Sequence, residues 1–335
     1  MEFTYFIGID VSKNELDFAV LHGKNFLFHK ETANTAQAIS GFMKDLNKLP
    51  DFSLSDAVFC MEHTGIYNNP LVSYLHKNKG NCWLESALQI KNSMGNLRGK
   101  NDKVDAIRIA EYAYKNREEV RLWKPKRAVI NQLSHYTTLR ARLISSCKML
   151  STPLKEGADF MDKSLQKQAN QLCKKAIDSI KESLKQTEKV IDQIIASDEE
   201  LNRLFSLITS VTGIGPVTAV QILITTNEFK DISNPKKFAC YSGVAPFVRE
   251  SGIFRGKGRV SHLANKTMKT LLHMSALSAI TSNGELKNYY ERKVSEEKKN
   301  KMLVINAVRN KLILRIFSCV AQNRKYQKDC VKSVA

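Results

Sequence analysis

The amino-terminal run FTYFIGIDVS is apolar and rich in β-formers, and ELDFAVL and NFLFHKETANT follow it after short polar breaks at Asn14 and at Gly23 to Asn25. That spacing predicts three consecutive strands. TAQAISGFMKDLNKL carries apolar residues at helical intervals, with Thr35 placed to cap its start, and it leads into DAVFCMEHTG, another strand of buried character. A helix around NPLVSYLHKNKG, a short strand at NCWLES and a helix from about Asp102 to Glu119 follow. The predicted order is β-β-β-α-β-α-β-α, and a helix that crosses back to a strand marks an α/β domain.

From about Arg127 to Ser197 the sequence becomes rich in Lys, Gln, Leu and Ile, with spaced apolar positions such as Leu165, Leu172, Ile177, Ile180, Leu184, Ile191 and Ile194. Long helices are predicted there, broken at Pro153 and Gly157 into a hairpin whose arms pair with each other or with a second protomer. A plain helical linker satisfies the same pattern. After Leu201 the chain is mostly helical and punctuated by GIGP (213–216), SGVAP (242–246) and ESGIFRGKGRVSH (250–262). Its last strong segment, KMLVINAVRNKLILRIFSCVAQNRK, reads as a helix with one apolar side and with Arg309, Lys311 and Arg315 among its cations. The expected divisions are an α/β domain over 1–125, a helical, coiled-coil connector over 126–200, a mostly α domain over 201–325 and a flexible tail over 326–335. A chain of 335 residues is long enough for two cores and a connector.

Hydrophobic content of 43% and charged content of 25% are ordinary for a folded protein. Charge is not ordinary: 52 Lys and Arg face 33 Asp and Glu, net +19. Residues 1–200 hold 29 basic and 25 acidic side chains, whereas residues 201–335 hold 23 and 8. A surface so basic attracts polyanions, because Lys and Arg displace the counterions condensed on nucleic-acid phosphates. Ribosomal and membrane-surface proteins share this signature, so charge alone does not choose among them. Seven cysteines without CxxC spacing read as reduced core thiols and not as a zinc site or a disulfide framework. No apolar run reaches the roughly 18 residues of a membrane helix, and no basic flank precedes an apolar core at the amino terminus, so a cytoplasmic protein is expected.

Asp10 ends the apolar strand FIGID, where a carboxylate emerges at the edge of a sheet. Glu62 repeats the arrangement after AVFC. Asp102 and Asp105, three apart at a helix start, share one face. Four carboxylates that converge repel one another until a cation neutralises them, and hard oxygen donors select magnesium or manganese over zinc. Such ions serve phosphodiester cleavage. Taken singly, Asp102 could merely cap its helix and Asp10 begin a turn. Gly213 and Gly215 of GIGP match a glycine turn whose backbone N–H groups grip a phosphate, and a tight turn between packed helices explains them equally. Ser251 lies among Arg249, Arg255, Lys257 and Arg259, cations suited to phosphate. A hydroxyl there is either a nucleophile toward a phosphodiester or a simple hydrogen-bond donor to one, and Ser242 has similar standing.

Taken in order, GIDVSK, EHTG, KNDKVDA, GIGPVTA, SGVAPFVRESG and KMLVINAVRNKLI resemble the transposases of the bacterial insertion-sequence family numbered one-hundred-and-ten, which includes the Piv-type DNA invertases. The resemblance spans nearly the whole chain. It implies a RuvC-like, ribonuclease-H-like first domain whose Asp-Glu-Asp-Asp set falls on Asp10, Glu62, Asp102 and Asp105 and holds Mg2+, with Mn2+ as a substitute. It implies a carboxy-terminal transposase domain in which Ser251 is the nucleophile. It also implies excision and insertion of the element's own DNA, a noncoding bridge RNA as guide, a homo-dimer or homo-tetramer, and a bacterial, nucleoid-associated location. Two other readings stand beside it: a metal-dependent RuvC-like nuclease or junction resolvase that uses water, and a nucleic-acid-binding protein without catalysis.

Overall fold

The computed structural model describes residues 3–93, 101–251, 254–282 and 284–327. The chain divides at Pro125 into two compact units.

The first unit holds strands β1 (Tyr5–Val11), β2 (Glu15–His22), β3 (Asn25–Ala33), β4 (Ala57–Glu62) and β5 (Asn81–Glu85), and helices α1 (Ala36–Leu46), α2 (Asn69–Lys77), α3 (Ala87–Ser93) and α4 (Asp102–Lys115). The sheet runs β3-β2-β1-β4-β5. β1, β2 and β3 are antiparallel, as their short connections require, whereas β4 and β5 lie parallel to β1. Parallel neighbours need crossovers, which α1 and α2 supply. Thr35 caps α1 by accepting from the Ala38 N–H at 3.3 Å.

Alternation along the strands then sorts the side chains into two layers. Tyr5, Ile7 and Ile9 of β1 join Ala57, Phe59 and Met61 of β4 against Ile39, Phe42 and Leu46 of α1 and Leu71 and Leu75 of α2. Phe6 of β1, Val58 and Cys60 of β4 and Trp83 of β5 face Ala106, Ile109, Ala110 and Ala113 of α4. Both faces of the central strands are therefore covered, which is why β1 and β4 read as unbroken apolar runs. The predicted helix from Asp102 stops at Lys115 and continues only as a single 3-10 turn at Arg117–Glu119. α3 is an addition to the predicted order.

The second unit opens with the long helices α5 (Ala128–Glu156) and α6 (Lys163–Ser197), joined by a short turn. They pair with each other, with Arg140 donating to Glu188 at 2.8 Å. Pro153 does not break the run. It sits inside the last turns of α5, and the break falls at Gly157. Of the apolar positions expected to line the pairing, Leu165 and Leu172 are 56% and 76% exposed, and burial concentrates at Ile130, Leu133, Ile191 and Ile195 at the other end of the hairpin.

Helices α7 (Glu199–Thr209), α8 (Pro216–Thr226), α9 (Pro235–Tyr241), α10 (Lys266–Thr281), α11 (Glu285–Glu291) and α12 (Lys301–Ala321) enclose the second core around Leu204, Ile222, Phe238, Leu272, Leu312 and Ile316. The glycine-rich stretch that punctuates this mostly helical region forms a β-hairpin, β6 (Phe247–Ser251) with β7 (Phe254–Arg259). The first residue of the expected tail has contacts with the helices. The Tyr326 N–H donates to Ser210 Oγ at 2.8 Å and its ring lies under the Arg315 guanidinium at 4.9 Å. Residues 328–335 of the expected tail lie outside the described residues. Among the described residues no helix is long and apolar enough to cross a membrane.

Candidate active site

Gly8 determines how the acidic residues of the first unit meet. A Cβ built on it would lie 2.1 Å from the Ala110 nitrogen and 2.2 Å from the Ala106 carbonyl oxygen, so α4 rests directly on the backbone of β1 at this residue. Only glycine permits that approach. Two residues on, Asp10 faces the same side; the helix begins with Asp102, one turn before Ala106, and Asp105 directly precedes Ala106. Glu62 lies one step past the Ile9–Met61 pair on the neighbouring strand, on the α4 face by the same alternation as Cys60.

Electrostatics registers the grouping. Burial, and then the charges of Asp102, Asp105 and Glu62 in that order, push the Asp10 carboxyl up to about 6. The amino terminus of α4 favours the two aspartates of its first turn through the helix dipole. Asp102 is not the cap. Asn101 is, accepting from the Lys103 N–H at 3.0 Å, so the capping alternative for Asp102 falls away. Asp105 is partly neutralised by Arg108 at 2.8 Å, a residue that sequence reasoning passed over.

The four carboxylates share a face without forming a closed ligand shell: among the described residues no group of three or more His, Cys, Asp or Glu side chains is close enough to hold a metal ion. Two further acids lie on the same face. Glu85 pairs in register with Glu62, but it accepts from the Ser86 N–H at 2.7 Å and from the Tyr112 hydroxyl at 3.3 Å. Burial and Glu85 together push that phenol up to about 12. Asp17 stands opposite Asp10 and is bonded to His29 Nε2 at 2.7 Å. Glu85 carried the same strand-end signal in sequence as Glu62, whereas Asp17 sits inside an apolar run and gave none. The buried thiols are inert, with burial pushing Cys60 up and Cys82 to about 12.

In the second unit Ser251 is exposed at the end of β6, paired across the hairpin with Phe254. Residues 252–253 lie outside the described residues, as do the side chains of Arg249, Arg255 and Lys257, whose backbones belong to the two strands. Arg259 is exposed at the end of β7 and borders a groove with Phe247, Ser261 and His262. Ser242, by contrast, is fully buried, and its hydroxyl donates to the Phe238 carbonyl at 2.8 Å. It presents no nucleophile. Gly213 has φ +94° and its missing Cβ would lie 2.7 Å from Ala279 Cβ and from the Ser275 carbonyl, so packing on α10 accounts for it. Gly215 begins α8 ahead of Pro216 with open space beside it.

Residues 7–159 match the model of the DEDD transposases of the IS110 type, and residues 205–291 match the Transposase IS116/IS110/IS902 family. Over the full length the chain is 26% identical to the pilin gene-inverting protein of Moraxella bovis and 25% identical to that of Moraxella lacunata, in both cases over 96% of this chain and 98% of the relative. A 44.8 kDa insertion element IS116 protein of Streptomyces clavuligerus is 25% identical over 35% of this chain and 29% of its own. The matches indicate an enzyme that cleaves and recombines DNA. Within that class the chain belongs to the IS110 family of transposases. The DEDD family suggests a divalent metal cofactor, and a transposase acts on DNA.

Proposed function

We propose that this transposase breaks and rejoins DNA through a serine-linked intermediate, with Asp10, Glu62, Asp102 and Asp105 holding a divalent cation. The observation that carries the reading is the placement of Glu62, Asp102 and Asp105 around an Asp10 carboxyl that burial, and then their charges, push upward. An all-carboxylate donor set suits Mg2+, with Mn2+ as substitute. When bound, the cation would stabilise the charge that builds on phosphodiester oxygens during cleavage. The strand order β3-β2-β1-β4-β5 supports a ribonuclease-H-like, RuvC-like fold for the first unit.

Ser251 is the nucleophile in this reading. Its Oγ loses its proton and bonds to phosphorus, and one phosphorus–oxygen bond of the strand breaks, leaving a DNA hydroxyl. A hydroxyl of the recombining strand then attacks the phosphoserine, which restores the serine and makes a new phosphodiester with no net loss of bond energy. Arg249, Arg255, Lys257 and Arg259 would hold the phosphates around it, and Gly215 would offer its N–H at the start of α8. The full-length likeness to pilin gene-inverting proteins supports inversion, or excision and insertion, of a defined DNA segment by this chain. A noncoding guide RNA supplies the base pairing, and the enzyme works as a dimer or tetramer.

The test is to mix purified protein, Mg2+, co-purifying RNA and element-end DNA and to look for a denaturant-stable protein–DNA adduct. Wild type should form one and Ser251→Ala should not. Metal-dependent cleavage with no adduct in either protein points instead to a water-using nuclease.

A further inference from the structure

Arg309 breaks the pattern of its own helix. Ile305, Val308, Leu312, Ile313 and Ile316 form the stripe that α12 buries in the second core. Helical spacing puts Arg309 inside that stripe, four residues after Ile305 and four before Ile313. The sequence counted it among the helix's cations, yet it is only 6% exposed.

A guanidinium cannot shed its charge at any physiological pH, so a buried arginine normally has a carboxylate. The unit supplies one elsewhere: Arg127 has Asp198 and Glu228, Arg140 has Glu188, Arg203 has Glu200 and Arg315 has Glu285. Among the described residues Arg309 has none. Its Nε is sealed from solvent without a hydrogen-bond partner. The titratable group that feels its charge, His273 on α10, is itself a potential cation, held below its ordinary value by burial and then by Arg309. Among the described residues the surroundings of this side chain therefore supply no anion.

Its location says where the anion belongs. One turn earlier on α12, Asn306 donates at 2.9 Å to the Val244 carbonyl, in the 242–246 turn that leads into β6 and so to Ser251. The same side of α12 carries both residues. We propose that Arg309 receives a phosphodiester oxygen of the nucleic acid, beside the turn that carries the Ser251 hairpin. Among the described residues nothing compensates the charge, and the backbone of the substrate would compensate it on arrival. This rests on the recombinase reading only for the identity of the anion. Sites that break a local rule of folding are where function is expected to reside.

The test uses the full-length protein, a 24-base-pair DNA duplex and an RNA duplex of the same length, each titrated over a range of salt. Arg309→Met should melt at the wild-type temperature or higher without ligand, because an unpaired buried charge has been removed. The slope of log Kd against log salt should fall by about one phosphate contact. Loss in the DNA arm, the RNA arm or both names the strand that is held. Arg309→Lys, which keeps the charge but not the forked donor, should bind about threefold to tenfold more weakly than wild type. It carries the test alone if the Met variant does not fold, and wild-type affinity in Arg309→Lys then overturns the proposal. A lower melting temperature for Arg309→Met with an unchanged salt slope would also overturn it and assign Arg309 to packing. Wild-type protein that binds neither duplex would sink the nucleic-acid reading itself, a result distinguishable from either.

Discussion

Removing the charge of Asp10 should stabilise the metal-free protein at neutral pH, a direction opposite to that of most substitutions at a partly buried site. Its carboxyl moves from 3.8 to about 6, roughly two pH units. At about 1.4 kcal/mol per unit this is an upper bound of about 3 kcal/mol. Solvent screening of a partly exposed group reduces it to about 1–2 kcal/mol. The native state binds this proton more tightly than the unfolded chain, so stability falls as pH rises from about 4 through about 6, and the full penalty is present above that. In EDTA at pH 7.5, Asp10→Asn should therefore melt higher than wild type by about 3–8 °C for a domain of this size, and the two should converge near pH 4. Millimolar Mg2+ should raise the wild-type transition at pH 7.5 and do far less for the variant. Scanning calorimetry in both buffers gives the answer. A variant less stable than wild type in EDTA at pH 7.5 would mean that the carboxylates do not repel one another as described, and the metal-site argument would fail with it.

Three further outcomes follow from individual contacts. Gly8→Ala drives a Cβ into two backbone atoms of α4 that cannot rotate away; it should cost about 3 kcal/mol or more in urea unfolding and weaken Mg2+ binding, because displacing α4 carries Asp102 and Asp105 with it. Ser242→Ala loses one buried hydroxyl bond to Phe238, about 1 kcal/mol, and should leave adduct formation intact; an adduct lost here would return Ser242 to candidacy. Asn101→Ala removes the cap of α4 and should lower stability by about 1 kcal/mol, with unchanged stability showing that another group caps the helix.

Much of the first unit was legible in sequence because its signals are local. Period-two and period-3.6 patterns gave the order of strands and helices, and Thr35 announced the start of α1. The strand-end positions of Asp10 and Glu62 and the three-residue spacing of Asp102 and Asp105 gave the candidate acids. Other features depend on what lies across the chain, and no local pattern contains that. The contact of Gly8 with Ala110 spans a hundred residues, and with the apolar packing of α4 on the sheet it brings the helix start to Asp10. Ser242 and Ser251 were equal as residues, and tertiary packing separated them by burying one at the end of α9 and leaving the other on a hairpin. Leu165 and Leu172 kept a good helical spacing yet stayed exposed, since periodicity specifies a face and not the partner that covers it. Arg309 is the converse case: composition made it one more cation of a basic domain, and only its place within the buried stripe of α12 shows a charge left without an anion.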